Sequence, residues 1–230
     1  MRKNLFLLAV LLLSVAASAQ IVEEGETRNG LKEGIWYEID ANKNLIRKVI
    51  QYENGKKNGL YLEIDDTGSL VKKCEYSNDQ LNGTSMTWFR GGKLSSKHTF
   101  KNGVLDGEQI ECYEQGVTRE IAYYKDGQRE GNTTWFDQNS NKVMSIEYQN
   151  GKFEGKQETY YRNGNLKTSK TFKDNVQDGP AYEFYESGDI MTECTYKNGK
   201  LSGKVKKFED QHPVILEKTN GFSEPKEPKK

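Results

Sequence analysis

The chain has 230 residues, with 34 Lys and Arg balanced by 34 Asp and Glu, and that neutrality leaves no electrostatic footprint for nucleic acid. Only 34% of it is hydrophobic, 13 Tyr, 9 Phe and 3 Trp supply much of that share, and the mean hydropathy is −0.89. A conventional core draws on roughly 45–50% apolar residues and disordered segments lack aromatics, so composition disfavours both a thick multilayer globule and a disordered chain and points to a thin, glycine-punctuated, aromatic-rich fold.

Residues 1–19 read as a signal peptide. Arg2 and Lys3 form a basic start, Leu5 to Ala17 is an apolar run broken only by Ser14, and Ala17-Ser18-Ala19 is a small-x-small site. A membrane-spanning helix needs about 20 apolar residues, so cleavage near Ala19-Gln20 and export to the periplasm or the extracellular space are expected. Cleavage removes Arg2 and Lys3 and leaves a net charge of −2.

Residues 20–33 read as an N-terminal half-repeat or cap, because Thr27-Arg28-Asn29-Gly30 aligns with Tyr196-Lys197-Asn198-Gly199. From 34 to 221 runs a repeat array. Its anchor glycines are Gly34, Gly59, Gly83, Gly107, Gly131, Gly155, Gly179 and Gly203, spaced 25 residues once and then 24. Counting the anchor as zero, position five is Ile39, Ile64, Trp88, Cys112, Phe136, Tyr160, Phe184 and Phe208. Position nine is often glycine, as in Gly164, and position eleven is often aliphatic, as in Leu166. Position seventeen (eighteen in the first unit) is an aromatic ladder: Tyr52, Tyr76, Phe100, Tyr124, Tyr148, Phe172 and Tyr196. The unit from Gly131 departs from the pattern, with Trp135-Phe136 read as one place early and the turn Asp137 to Lys142 as one residue longer and without glycine. The last unit has His212-Pro213 at the turn and reads as a C-terminal cap, and residues 222–230 read as a disordered charged tail.

Each unit reads as a hairpin of two runs of six or seven residues. Leu70, Lys72, Cys74 and Tyr76 alternate with Val71, Lys73 and Glu75, and a period of two means strand. The connection Tyr196 to Gly203 is a short turn, and successive short turns force antiparallel pairing. The expected fold is all-β: an elongated, single-layer antiparallel meander of about eight hairpins, or about 15–16 strands by the repeat count. Positions five, eleven and seventeen are expected on one face.

At these residues the chain resembles the MORN-repeat variant family. The halves that carry the likeness are Gly155 with Tyr160-Tyr161 and Gly164, and Tyr196-Lys197-Asn198-Gly199-Lys200; the likeness runs over roughly residues 27 to 221. It implies MORN-like hairpins, a role in protein assembly or phospholipid contact, and, for bacterial members, the antitoxin component of a toxin–antitoxin module.

Residues that carry chemistry are sparse. His98 and His212 are too few for a histidine-rich metal site, and no Cys-x2-Cys pair or Gly-x-Ser-x-Gly elbow occurs. Gly151 to Lys156 is one residue short of a phosphate loop and opens a strand, not a helix. Asn82 and Asn132 head glycosylation sequons. Cys74, Cys112 and Cys194 are odd in number, and read as buried thiols or as a source of an intermolecular disulfide. No catalytic residue, cofactor or metal is expected, and the chain reads as a non-enzyme.

Position six follows the position-five residue and should point to the opposite face. Phe89, Tyr113, Tyr161 and Tyr185 fill it in four units, and acidic residues fill it in the others. These four are the binding-face candidates. The expected function is a secreted or periplasmic scaffold for a protein partner, with an antitoxin or immunity-like role as a special case. The alternative is a cell-surface module that binds glycan or lipid headgroups through the same rings.

Overall fold

The computed structural model describes residues 20–212. The expected leader, the end of the array with Pro213, and the charged tail lie outside the described residues. Within them the strands are β1 (Ile21–Arg28), β2 (Leu31–Asp40), β3 (Leu45–Glu53), β4 (Lys56–Ile64), β5 (Leu70–Ser77), β6 (Gln80–Leu81), β7 (Gly83–Trp88), β8 (Leu94–Lys101), β9 (Val104–Cys112), β10 (Thr118–Lys125), β11 (Gln128–Arg129), β12 (Gly131–Phe136), β13 (Lys142–Gln149), β14 (Lys152–Tyr160), β15 (Leu166–Lys173), β16 (Val176–Phe184), β17 (Ile190–Lys197) and β18 (Lys200–Lys207). All 18 form one open sheet. Successive strands pair antiparallel, so the chain is a meander of hairpins, as expected. The fragments β6 and β7, and likewise β11 and β12, are single strands interrupted at a bulge, since both members pair with the same neighbour.

Two kinds of turn alternate. The joints between units are two-residue turns: Asn29-Gly30, Asn54-Gly55, Asn78-Asp79, Asn102-Gly103, Asp126-Gly127, Asn150-Gly151, Asp174-Asn175 and Asn198-Gly199. Both residues have positive φ in every one. That is the type I′ geometry, whose twist matches that of the flanking strands and which favours Asn-Gly and Asp-Gly. The turns also stack. From Asn54-Gly55 onward, the second N–H of each donates to a carbonyl one unit back, as Gly151 does to Arg129 at 2.9 Å and Gly199 to Gln177 at 2.9 Å. The side chain just before the anchor glycine caps the first N–H: Glu130 accepts from Asn150, and Glu154 from Asp174, both at 2.8 Å.

The anchor glycine does not lie in the joint. The expected turn from Tyr196 to Gly203 is only Asn198-Gly199, and Gly203 is the fourth residue of β18. The full strands are therefore eight to ten residues long, not six or seven. All eight anchors have φ between 70° and 124°. They sit at a bulge: Ile50 pairs with Tyr61 and Tyr52 with Lys57, so Gln51 alone faces Asn58, Gly59 and Leu60. The side chain opposite plugs the bulge. Gln51 Oε1 accepts from Leu60 N–H at 3.2 Å, and Glu147 Oε2 from Lys156 N–H at 3.0 Å. A Cβ on Gly59 or Gly155 would collide with those same side chains. On its other side each of the first seven anchors pairs with the ladder aromatic of its own unit, as Gly59 with Tyr76 and Gly155 with Phe172.

The expectation that positions five, eleven and seventeen share a face is wrong. Thr159 pairs with Thr168 and Tyr160 with Leu166, which leaves Lys167 as an extra residue. That bulge flips the alternation, so positions five and eleven, which are cross-strand partners, point away from the ladder. The contacts agree. Tyr160 Oη donates to Glu158 at 2.7 Å, while the ladder residue Tyr76 packs edge-on against Tyr61, with ring centroids 5.7 Å apart. Among the described residues, a row of buried and half-buried side chains on the ladder face runs through Trp36, Ile50, Tyr61, Cys74, Ser85, His98, Gln109, Ala122, Thr133 and Ile146; most are cross-strand partners, and Cys74 meets Ser85 and Ala122 meets Thr133 by continuing the registers of Lys73 with Met86 and Ile121 with Thr134. Ile50, Tyr61 and Cys74 form its densest part, flanked by Tyr52, Tyr76 and Leu81.

The Gly131 unit is not longer than the others. Ser140 N–H donates to Asp137 O, and Asp137 N–H to Asn141 O, as Gly164 and Tyr161 do one unit later. Ser140 takes the glycine's left-handed conformation at φ 66°. Asp137 makes that tolerable by accepting from the N–H groups of Asn139 and Asn141.

Candidate binding site

Position six has two fates. Where it is aspartate, the carboxylate folds back on its own turn: Asp65 accepts from Thr67 and Ser69, and Asp137 from Asn139 and Asn141. Where it is tyrosine, the side chain reaches the next unit. Tyr113 Oη donates to Phe136 O at 2.9 Å, Tyr161 to Phe184 O at 2.7 Å, and Tyr185 to Phe208 O at 2.9 Å. Phe89 holds the same slot without a hydroxyl. All four rings are partly buried. The three tyrosines among these expected contact residues thus tie unit to unit along the edge opposite the joints.

A different site emerges on the ladder face at mid-array. The row that carries Trp36 and Tyr61 at its start loses bulk at Ser85, Gln109, Ala122 and Thr133, and a depression of about 240 Å³ opens there. His98, Gln109, Glu111, Arg119, Glu120 and Arg129 line it with Leu105, Ala122 and Tyr124. β8 to β11 supply all of them, with Arg119 at a bulge within β10, where Thr118 pairs with Cys112 and Glu120 with Glu111.

The walls are charged and mutually braced. His98 Nε2 lies 2.7 Å from Glu111 Oε1, and Arg119 Nη2 lies 3.8 Å from Glu111 Oε2. Arg129 donates to Glu120 at 2.5 Å and to Thr133 Oγ1 at 3.0 Å. Its guanidinium also lies over the rings of Tyr124, Trp135 and Tyr148 at 5.4 to 5.7 Å. Burial is the largest single influence on Arg129 and works against its charge, but the hydrogen bond and the charge of Glu120, with smaller contributions from Tyr124 and Tyr148, together outweigh it and hold the group above its ordinary value. At the floor, Gln109 is 5% exposed and its Nε2 donates to Thr99 O at 3.0 Å. Its Oε1 is buried and has no hydrogen-bond partner. Buried polar atoms are nearly always bonded, so an unpartnered acceptor in the floor of the depression is an exception.

His98 occupies the row slot held elsewhere by Cys74 and Cys194, as its spacing suggested, and lines the depression as well. Reading by period alone missed Gln109, Arg119 and Arg129. The available signal was the loss of bulk at position two, from Trp36 and Tyr61 to Ser85, Gln109 and Thr133. The three cysteines are free thiols, Cys74 and Cys112 buried and Cys194 half-buried. Among the described residues no group of three or more His, Cys, Asp and Glu is placed to hold a metal ion.

The fold defines a single-layer array of β-hairpins. A family model described as MORN repeat variant matches residues 81–102, 153–174 and 177–198. Each match spans one structural unit, from two residues before the anchor glycine to the first residue of the next type I′ turn, so these three hairpins are similar to that repeat. MORN repeats are a non-catalytic repeat type that generally mediates protein or membrane interaction. No curated protein matches the chain.

Proposed function

We propose that the chain is an exported, non-catalytic scaffold that binds a protein partner on its ladder face, anchored at the depression around Gln109. The unpartnered acceptor of Gln109 in the floor of that depression carries this reading. It sits on a rigid sheet, beside a desolvated Arg129 and aromatic rings, the side-chain types that dominate binding energy at protein interfaces. Arg119 and Glu111 at the rim supply charges of both signs for orientation. The leader-like residues 1–19 support export, and neutralising an exported toxin is one form the role takes. A glycan or lipid-headgroup surface on Phe89, Tyr113, Tyr161 and Tyr185 is favoured less, because the three hydroxyls already donate to neighbouring carbonyls.

Cross-linking and capture from the native envelope fraction tests this. Wild-type protein should retain a partner that Arg119→Glu and Gln109→Ala both lose while keeping their β-sheet circular dichroism. Capture of the same proteins by all three, or of none by the wild type, refutes it.

A further inference from the structure

The two ends of the sheet are unfinished in complementary ways. β1 pairs with β2 in the register of a unit's closing strand: Thr27 opposite Lys32 and Arg28 opposite Leu31, as Tyr52 opposes Lys57 and Glu53 opposes Lys56. β18 pairs with β17 in the register of an opening strand, with Tyr196 opposite Leu201 and Glu193 opposite Lys206. Among the described residues, β1 has no opening strand before it and β18 no closing strand after it. Every residue of both strands is exposed.

We propose that β18 of one copy of this chain pairs with β1 of the next, completing a unit between them and extending the sheet head to tail. The register is set by the array itself. Within the chain, Pro180 pairs with Thr195, Tyr182 with Glu193, Glu183 with Thr192 and Phe184 with Ile190. The same register places Lys204 opposite Glu26, Lys206 opposite Glu24, Lys207 opposite Glu23 and Phe208 opposite Ile21. Three cross-strand pairs thus unite opposite charges and a fourth unites two apolar side chains. A comparable Lys–Glu pair braces the first unit, where Lys48 Nζ lies 2.7 Å from Glu38.

The alternatives are disfavoured by charge. Two β1 strands would set Glu against Glu, and two β18 strands Lys against Lys, and like charges directly opposite destabilise a sheet. Glu23 already pairs with half-buried Lys32, and Lys206 with half-buried Glu193, so both contacts would be shared. Lys on an edge strand ordinarily discourages pairing; here it selects an acidic edge. The backbone bonds of an added strand supply attraction and the side chains specificity. A head-to-tail contact that does not close on itself gives a linear assembly.

Sedimentation of the full protein, purified from a host that exports it and with its amino terminus fixed by mass spectrometry, tests the proposal. Species heavier than one chain should grow with concentration and shrink as salt is raised, because exposed pairs are screened. Lys204→Glu/Lys206→Glu/Lys207→Glu should be monomeric, and so should Glu23→Lys/Glu24→Lys/Glu26→Lys. Mixing the two should restore assembly, since each then offers the edge the other needs. Lys204→Glu and Glu26→Lys, alone and mixed, repeat the test at side chains that make no ion pair within the described residues. A wild-type protein that stays monomeric overturns the proposal, as when its own residues beyond His212 take the edge of β18. So does failure of the mixed variants to assemble.

Discussion

The hydroxyl of Tyr161 donates to the backbone carbonyl of Phe184, 23 residues further on, at 2.7 Å. The bond joins the turn of one hairpin to the last strand residue of the next hairpin's first arm. Tyr113 and Tyr185 repeat it at the same spacing. Loss of one such bond should cost about 0.5–1.5 kcal/mol. Tyr161→Phe should therefore lower the urea midpoint while leaving the sheet intact, since Phe89 already occupies the equivalent place. An unchanged midpoint in the Tyr113→Phe/Tyr161→Phe/Tyr185→Phe variant would show that these hydroxyls do not couple the units.

The bulge glycines should be far less replaceable than the turn glycines. Gly59→Ala and Gly155→Ala put a Cβ into the side chains of Gln51 and Glu147 at φ of 104° and 106°. Each should destabilise by about 1–3 kcal/mol. Gly164 is unobstructed, and Ser140 shows that the slot accepts a side chain. Gly164→Asn should cost less than about 1 kcal/mol. Thermal melts of the three variants settle the order.

Acid should loosen the turns. The Thr67 hydroxyl, then the Ser69 and Thr67 N–H groups, hold the Asp65 carboxyl below its ordinary value. For Asp137 the leading cause is the side-chain amide of Asn141. A carboxyl depressed in the folded state stabilises fully above its unfolded value of about 3.9, and that contribution is lost as pH falls through the lower folded value. Melting temperature should thus be insensitive to these groups near neutrality and decline below about pH 4. Asp65→Ala/Asp137→Ala should melt lower at neutral pH and lose less on acidification. An acid decline equal to that of the wild type would assign it to other groups.

Thiol chemistry should follow burial. Cys74 is fully buried against Tyr61 and Tyr76, and burial raises its thiol and that of Cys112 above the ordinary value. Cys194 is half-buried. Under native conditions a disulfide reagent should modify Cys194 first, with Cys74 and Cys112 reacting only on unfolding. Rapid modification of all three would mean that the row opens readily.

Much of this architecture was legible in the residues. Asn-Gly and Asp-Gly doublets one unit apart mark the joints outright, because few other pairs tolerate two positive φ values in succession. Alternation in the run from Leu70 to Tyr76 marks a strand. Bulges were not legible. Gly59 looks like turn glycine until its partners across the strand are known, and the extra residue at Lys167 reverses which face Tyr160 occupies. Ser140 misled for a related reason: a serine does a glycine's work only because Asp137 holds the loop. The site around Gln109 carries no motif; its one trace in the sequence is the loss of aromatic bulk at position two, which means little until the strands are placed side by side.

The stacking of each joint on the one before gives the molecule a built-in gauge. Inserting or deleting a single 24-residue unit would shift everything beyond it by two strand spacings, about 9–10 Å, and change contacts only at the units on either side. A lineage carrying this design could tune the distance between two attached objects in discrete steps, by recombination alone.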